Sequence, residues 1–259
     1  MYDIGVNLFC KQFKNPKDII DTACKDGVTC ILTGTDMKEN RRIVKFIEQY
    51  DGKVYGTCGF HPHNADRVNN EDYIMQELMC KMDGIIAVGE CGLDYDRMFS
   101  TQENQLKCLE SQIEIAERLK MPLFLHERKA HRDFVSVFNG HKEICKNSIV
   151  HCFTGTRQQM ETYLDMGFYI GITGWIADER RNQDLVQAVK YLPLDRVLIE
   201  TDAPYLTPRG YRLGNVNTPS NLKYVAKALS KYMRVSEKDL IENANKNTEK
   251  IFKIIVDEK

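Results

Sequence analysis

The chain has 259 residues, 42% of them hydrophobic, and its 36 basic side chains nearly balance 37 acidic ones. That length supports a sizeable core and suits one α/β barrel domain spanning 1–259, while the balanced charge excludes a global positive field of the kind that drives non-specific duplex binding. The nine cysteines contain no C-x-x-C pair, and their odd number argues against a disulfide framework. The N-terminus has no basic segment leading into a long apolar one, and nowhere do ~18 apolar residues run together. The expectation is a soluble, cytoplasmic protein with no membrane span and no obligate protein partner.

Strand-like runs separated by amphipathic segments of helical length recur from end to end, the pattern of parallel βα units. Eight runs are predicted, at 3–8, 28–33, 54–60, 85–89, 122–125, 148–153, 169–173 and 197–201. Eight parallel strands at this length predict a single (β/α)8 TIM barrel of the metal-dependent, amidohydrolase-like type. Helix starts are signalled by Asn15-Pro16 and Thr218-Pro219, and by two capping-box patterns, Ser100 to Glu103 and Thr156 to Gln159. After the first box, Leu106, Leu109, Ile113, Ala116 and Leu119 recur at helical spacing and predict a buried stripe. The stretch 203–217 reads as a long ordered loop, and the chain beyond it as helical, with Ile251 and Ile255 closing the last apolar face.

In a closed barrel the C-terminal ends of the strands share one face, so a strand's last residues are where chemistry is sought. Glu90 stands where the run Ile85–Val88 meets an expected turn, and His61, His63, His126, His151 and Asp202 stand at the ends of other runs. Four of the six histidines are accounted for in this way, leaving His131 and His141 as solvated residues. Each histidine alone is more often a hydrogen-bonded structural residue, but their coincidence with strand ends points to a ligand set. Two neutral imidazoles with a carboxylate recur as ligands of a divalent ion.

Five segments, Gly59-Phe60-His61-Pro62-His63, Gly89-Glu90-Cys91-Gly92-Leu93-Asp94, Pro122 to Arg128, His151-Cys152-Phe153-Thr154-Gly155 and Thr201 to Leu206, closely resemble the ordered motifs of the TatD family of metal-dependent deoxyribonucleases. Asp3 to Leu8 and Gly171 to Trp175 narrow the resemblance to the TatD branch of that family. The resemblance implies a TIM-barrel hydrolase that cleaves DNA phosphodiesters, often as a magnesium-dependent 3′ to 5′ exonuclease preferring single strands, RNA included. It makes Glu90, His126 and His151 metal ligands, Asp202 the catalytic carboxylate or the ligand of a further ion bridged by Glu90, and His61 a contact to the scissile phosphate. His63 joins His61 as a candidate for the substrate phosphate. Many relatives carry His-x-His at the end of the first strand, where this chain has Gly5 and Asn7. One firm metal site and at most one labile one are therefore expected.

Magnesium is the ion the resemblance suggests, although two imidazoles and a carboxylate suit manganese or zinc equally. If the second ion is weak, cations must replace it, and the candidates are Arg128, Arg157, Arg180, Arg181 and Arg209, with Arg128 and Arg209 foremost. Bases of a single strand would stack on Phe153, Trp175 or Tyr205, the single tryptophan being the first choice. Against this stand two other classes: a small-molecule amidohydrolase or lactonase on the same barrel, and a non-catalytic binding subunit.

Overall fold

A computed structural model describes residues 1–50 and 52–255. Each of the eight apolar runs overlaps a strand: β1 (Tyr2–Val6), β2 (Thr29–Leu32), β3 (Val54–Cys58), β4 (Ile85–Asp94), β5 (Leu123–Arg128), β6 (Ile149–Val150), β7 (Tyr169–Ile172) and β8 (Val197–Ile199). They lie in one sheet in the order β1 to β8, and the registered pairs are parallel. Just beyond β8, Ala203 forms a parallel bridge with Val6 and accepts the Asn7 N–H at 2.7 Å, so the last strand returns to the first. This is the order of a (β/α)8 barrel. The helices are α1 (Pro16–Lys25), α2 (Met37–Ile47), α3 (Asn70–Met79), α4 (Gln102–Leu119), α5 (His131–Phe138), α6 (Lys142–Cys145), α7 (Arg157–Met166), α8 (Gln183–Ala188), α9 (Leu222–Met233) and α10 (Glu237–Phe252). Among the described residues no helix is long and apolar enough to cross a membrane.

Two compact units make up the described chain. One comprises Met1–Ile31, Cys152–Asp165 and the residues from Tyr169 onward, and buries Ile4, Ile170, Leu198 and Leu229 completely. The other comprises Leu32–His151 and Met166–Phe168, and buries Leu109, Ile113, Phe124, Leu125 and Phe134 completely. Each such side chain stabilises its core by about 1.5–3 kcal/mol relative to exposure.

The fourth run does not end at Gly89. Strand β4 continues to Asp94, so Glu90 lies inside it rather than on a turn. The register against β5 slips between Gly89 and Cys91, leaving Glu90 as the extra residue of a bulge. Gly89 and Gly92 have φ of 141° and 140°, and a Cβ would meet the Phe124 carbonyl oxygen at 2.3 Å or the His126 carbonyl oxygen at 1.9 Å. Only glycine allows this approach, which brings β4 alongside β5 as far as Arg128. Strand β6 is shorter than expected because Cys152, with φ of 46°, turns the chain away soon after Val150.

Helix α4 also departs from its apolar period. Leu106 and Leu119 are only half-buried, whereas Gln105 and Gln112 are completely buried. Thr101, not Ser100, caps this helix, accepting the Asn104 N–H at 3.3 Å. Thr156 and Gln159 make the reciprocal bonds of a capping box, but Asn15 instead donates to Asp18 at 2.7 Å, and Thr218 makes no side-chain cap bond. Ile255 falls beyond the end of α10 and is exposed.

Candidate metal centre

The backbone leading out of β3 is clamped by buried amides. Asn40 donates to the Gly59 carbonyl (3.0 Å) and accepts the Gly59 N–H (3.3 Å), and Gln112 accepts the Phe60 N–H (2.8 Å) while donating to the Phe60 carbonyl (3.0 Å). His61 follows, its own N–H donating to the Thr35 carbonyl at 3.0 Å. Its Nδ1 accepts the His63 N–H at 3.1 Å, which puts the proton of the neutral ring on Nε2, 3.3 Å from Glu90 Oε1.

That same Glu90 oxygen receives two more imidazoles: His126 Nδ1 at 3.1 Å and His151 Nε2 at 2.8 Å. The bulge turns Glu90 toward them, its N–H bonded to the Gly34 carbonyl at 2.6 Å. His126 sits on β5 opposite Gly92, and His151 follows β6, its N–H donating to the Leu125 carbonyl and its ring lying 4.5 Å from that of Phe124. Asp94, at the end of β4, is bonded to His126 Nε2 at 3.3 Å and to His63 Nε2 at 2.7 Å. Gln105 fixes Asp94 in turn, accepting its N–H and donating to its carbonyl.

Burial opposes ionisation of Glu90, but His151, His61 and His126 around it hold its carboxyl well below the ordinary range. Asp94 is likewise held low against burial by its bonds to His126 and His63. Burial presses the His61 imidazole down to about 4, outweighing the pull of Glu90. For His126 the balance reverses: burial is outweighed by Asp94 and Glu90, and its pKa is raised. His61, Glu90 and His126 each present a ligand atom within 4.8 Å of the others. Imidazole nitrogens and a deprotonated carboxylate so gathered are a fitting donor set for a divalent cation. A second carboxylate on the far nitrogen of one ring is the usual partner of such a ligand.

Asp202 lies in the other unit, just past β8, with a left-handed backbone of φ 53°. Asn7 donates to its Oδ1 at 2.7 Å and so holds this carboxylate through an amide. Below it, fully buried Asp3 accepts the Thr201 N–H at 2.8 Å and meets the Thr201 hydroxyl at 2.5 Å, and burial raises its pKa to about 8.

The arginines divide. Arg128 is engaged by Asp96 at 2.8 Å, and Arg157 by Glu161 at 2.7 Å. Arg180, Arg181 and Arg209 all face Asp178. Trp175 has the guanidinium of Arg181 3.6 Å from its ring centre, so one of its faces is covered. Five contributors are not marked in the sequence: Asn40, Asp94, Gln105, Gln112 and Phe99, an exposed ring standing edge-on to His63 at 4.8 Å. Asp94 alone carried a signal, since alternation along a strand puts it on the same face as Glu90.

A family model described as TatD related DNase matches residues 2–253. The chain belongs to this TatD family. It is 36% identical to the 3'-5' ssDNA/RNA exonuclease TatD of Citrobacter koseri over 98% of this chain and 99% of that protein. The corresponding protein of Pectobacterium parmentieri is 37% identical over 98% of this chain and its own full length. Among solved structures, the TatD homologue YJJV of Escherichia coli k12 superposes on this TatD-family chain with a TM-score of 0.89 at 26% identity, covering 98% of both chains.

Proposed function

We propose that this TatD-family protein is a metal-dependent exonuclease that hydrolyses phosphodiester bonds from the 3′ end of single-stranded DNA and RNA. The observation that carries this reading is the convergence of His61, His126 and His151 on one Glu90 oxygen, in a chain 36% identical end to end to a protein named for that activity. The family match over 2–253 supports reading 1–259 as one hydrolase domain. The free cysteines fit a reducing compartment, and we place its action in the cytoplasm.

In this reading Glu90, His126 and His151 hold the cation, with magnesium the working ion and manganese or zinc able to take its place. A divalent ion bound there lowers the pKa of a water and offsets charge on the phosphoryl oxygens. The remaining steps belong to side chains. His61, kept neutral by burial, offers its Nε2–H as a hydrogen-bond donor to an oxygen of the scissile phosphate. Asp202, steadied by Asn7, accepts the proton of the attacking water. Asp94 orients His126 through Nε2. Arg128, Arg209 and His63 contact phosphates, and Trp175 receives a base on the face that Arg181 does not cover. Gly5 and Asn7 leave any second cation weakly held.

Single-stranded DNA labelled at its 3′ end tests the reading. The purified protein should release labelled mononucleotide in magnesium and none after chelation, whereas an amidohydrolase, a lactonase or a non-catalytic subunit releases none in either. Metal analysis of His151→Ala and His61→Ala tests the third ligand. Loss of the ion in the first and its retention in the second is expected, and the reverse result transfers the role to His61.

A further inference from the structure

A cleft of about 610 Å³ lies wholly within the unit that carries β7 and β8, lined by Trp175, Asp178, Arg181, Tyr205 and Arg209 among others. Its far wall is the 203–217 segment, drawn so close to the turn after β7 that a Cβ on Gly174 would meet the Leu206 carbonyl oxygen at 2.1 Å. At its edge one nearly buried acid gathers three guanidinium groups. Asp178, its side chain 3% exposed, takes two bonds of 2.7 Å from Arg180, one of 2.9 Å from Arg181 Nε, and faces Arg209 Nε at 3.5 Å. One carboxylate cannot neutralise three guanidiniums, so the cluster keeps an excess of positive charge. Arg181 and Arg209 turn only Nε to the acid, which leaves the terminal amino groups of both available among the described residues. The indole of Trp175 is fixed by its N–H bond to the Arg181 carbonyl (3.1 Å) and by the guanidinium over one face, and Tyr205 is 45% exposed.

Paired donors for a phosphate, rigid aromatic faces and room for one monomer describe the requirements of a nucleotide. We infer that this cleft is a subsite for a nucleotide of the bound strand other than the one being released, with Arg181 on its phosphate and Trp175 or Tyr205 against its base. The inference rests on the nuclease reading above, and it adds that affinity grows with strand length through this cleft.

The single tryptophan makes the test direct, because intrinsic tryptophan fluorescence reports Trp175 alone. In chelator, where no cleavage occurs, titration with a thymidine hexanucleotide should change that fluorescence, while inorganic phosphate at equal concentration should not. Arg181→Gln should need at least tenfold more hexanucleotide, and the slope of log affinity against log salt should flatten by about 0.7, the value for one lost single-strand phosphate contact. The same variant should hydrolyse the base-free diester bis(p-nitrophenyl) phosphate within twofold of the parent. No fluorescence change with the hexanucleotide, an equal change with phosphate alone, or an unaltered salt slope in Arg181→Gln overturns the subsite. Cleavage of DNA without a fluorescence change sinks the subsite only, and fluorescence-detected binding without cleavage in magnesium sinks the nuclease reading only.

Discussion

Replacing Gln112 by methionine keeps the volume and helix propensity of the side chain but removes its amide. In the folded protein that amide accepts the Phe60 N–H at 2.8 Å and donates to the Phe60 carbonyl at 3.0 Å, in a site closed to water. Gln76 Nε2 loses one acceptor but keeps the Cys58 carbonyl at 3.0 Å. The cost is therefore set by two orphaned backbone groups at about 1–3 kcal/mol each, or about 2–6 kcal/mol, a large share of the about 5–15 kcal/mol that holds a typical domain together. Urea unfolding followed by far-ultraviolet circular dichroism measures it as a lower midpoint at unchanged slope. Because Phe60 precedes His61, turnover should fall as well, by at least tenfold. A stability loss below about 0.5 kcal/mol would show that the buried glutamine does not hold this backbone, and the clamp on His61 would have to be abandoned.

Four further outcomes are expected. His126→Ala should abolish nuclease activity and bound metal together, whereas Asp202→Ala should abolish activity with metal content retained; full activity in either removes its assigned role. Asp3 keeps its proton up to about pH 8 in the folded protein, while the unfolded chain releases it in the ordinary carboxylate range. Its contribution to stability is thus full at low pH and falls as pH rises through about 8, so Asp3→Asn should flatten the thermal midpoint between pH 5 and 9; an equally steep profile in the variant would refute the assignment. Gly92→Ala should fail to give folded protein or lose more than about 3 kcal/mol, since the added methyl group meets the His126 carbonyl at 1.9 Å; normal unfolding would exclude the close approach of β4 and β5. Asn7→Ala should lower kcat with little change in KM, by releasing Asp202, and an unchanged kcat would mean that the bond is incidental.

Much of the site was legible because a parallel barrel turns sequence position into spatial position. An apolar run followed by His or Glu marks a strand end, and strand ends meet. His61, His126, His151 and Glu90 could be named on that ground without knowledge of any distance. The turn expected at Glu90 is one misreading. Gly89 and Gly92 look like turn residues, and in isolation glycine does favour turns, but here each sustains an extended strand against a neighbouring carbonyl. In α4 an apolar period placed Leu106 and Leu119 in the core and left out Gln105 and Gln112, because periodicity records hydrophobicity and not the backbone groups a buried amide can satisfy.

From its sequence alone this protein's architecture, its strand order and its family could be stated, since these follow from hydrophobic alternation, local turn chemistry and ordered motifs. Tertiary structure alone decided which atoms meet: that three imidazoles share a single oxygen of Glu90, that Asp94 backs His126, that Asn7 holds Asp202, and that Asp178 draws three arginines to the edge of one cleft. The physical reason is range. Secondary structure is set by neighbours a few residues apart, whereas a bond between side chains such as those of residues 7 and 202 depends on packing that brings together segments from opposite ends of the chain.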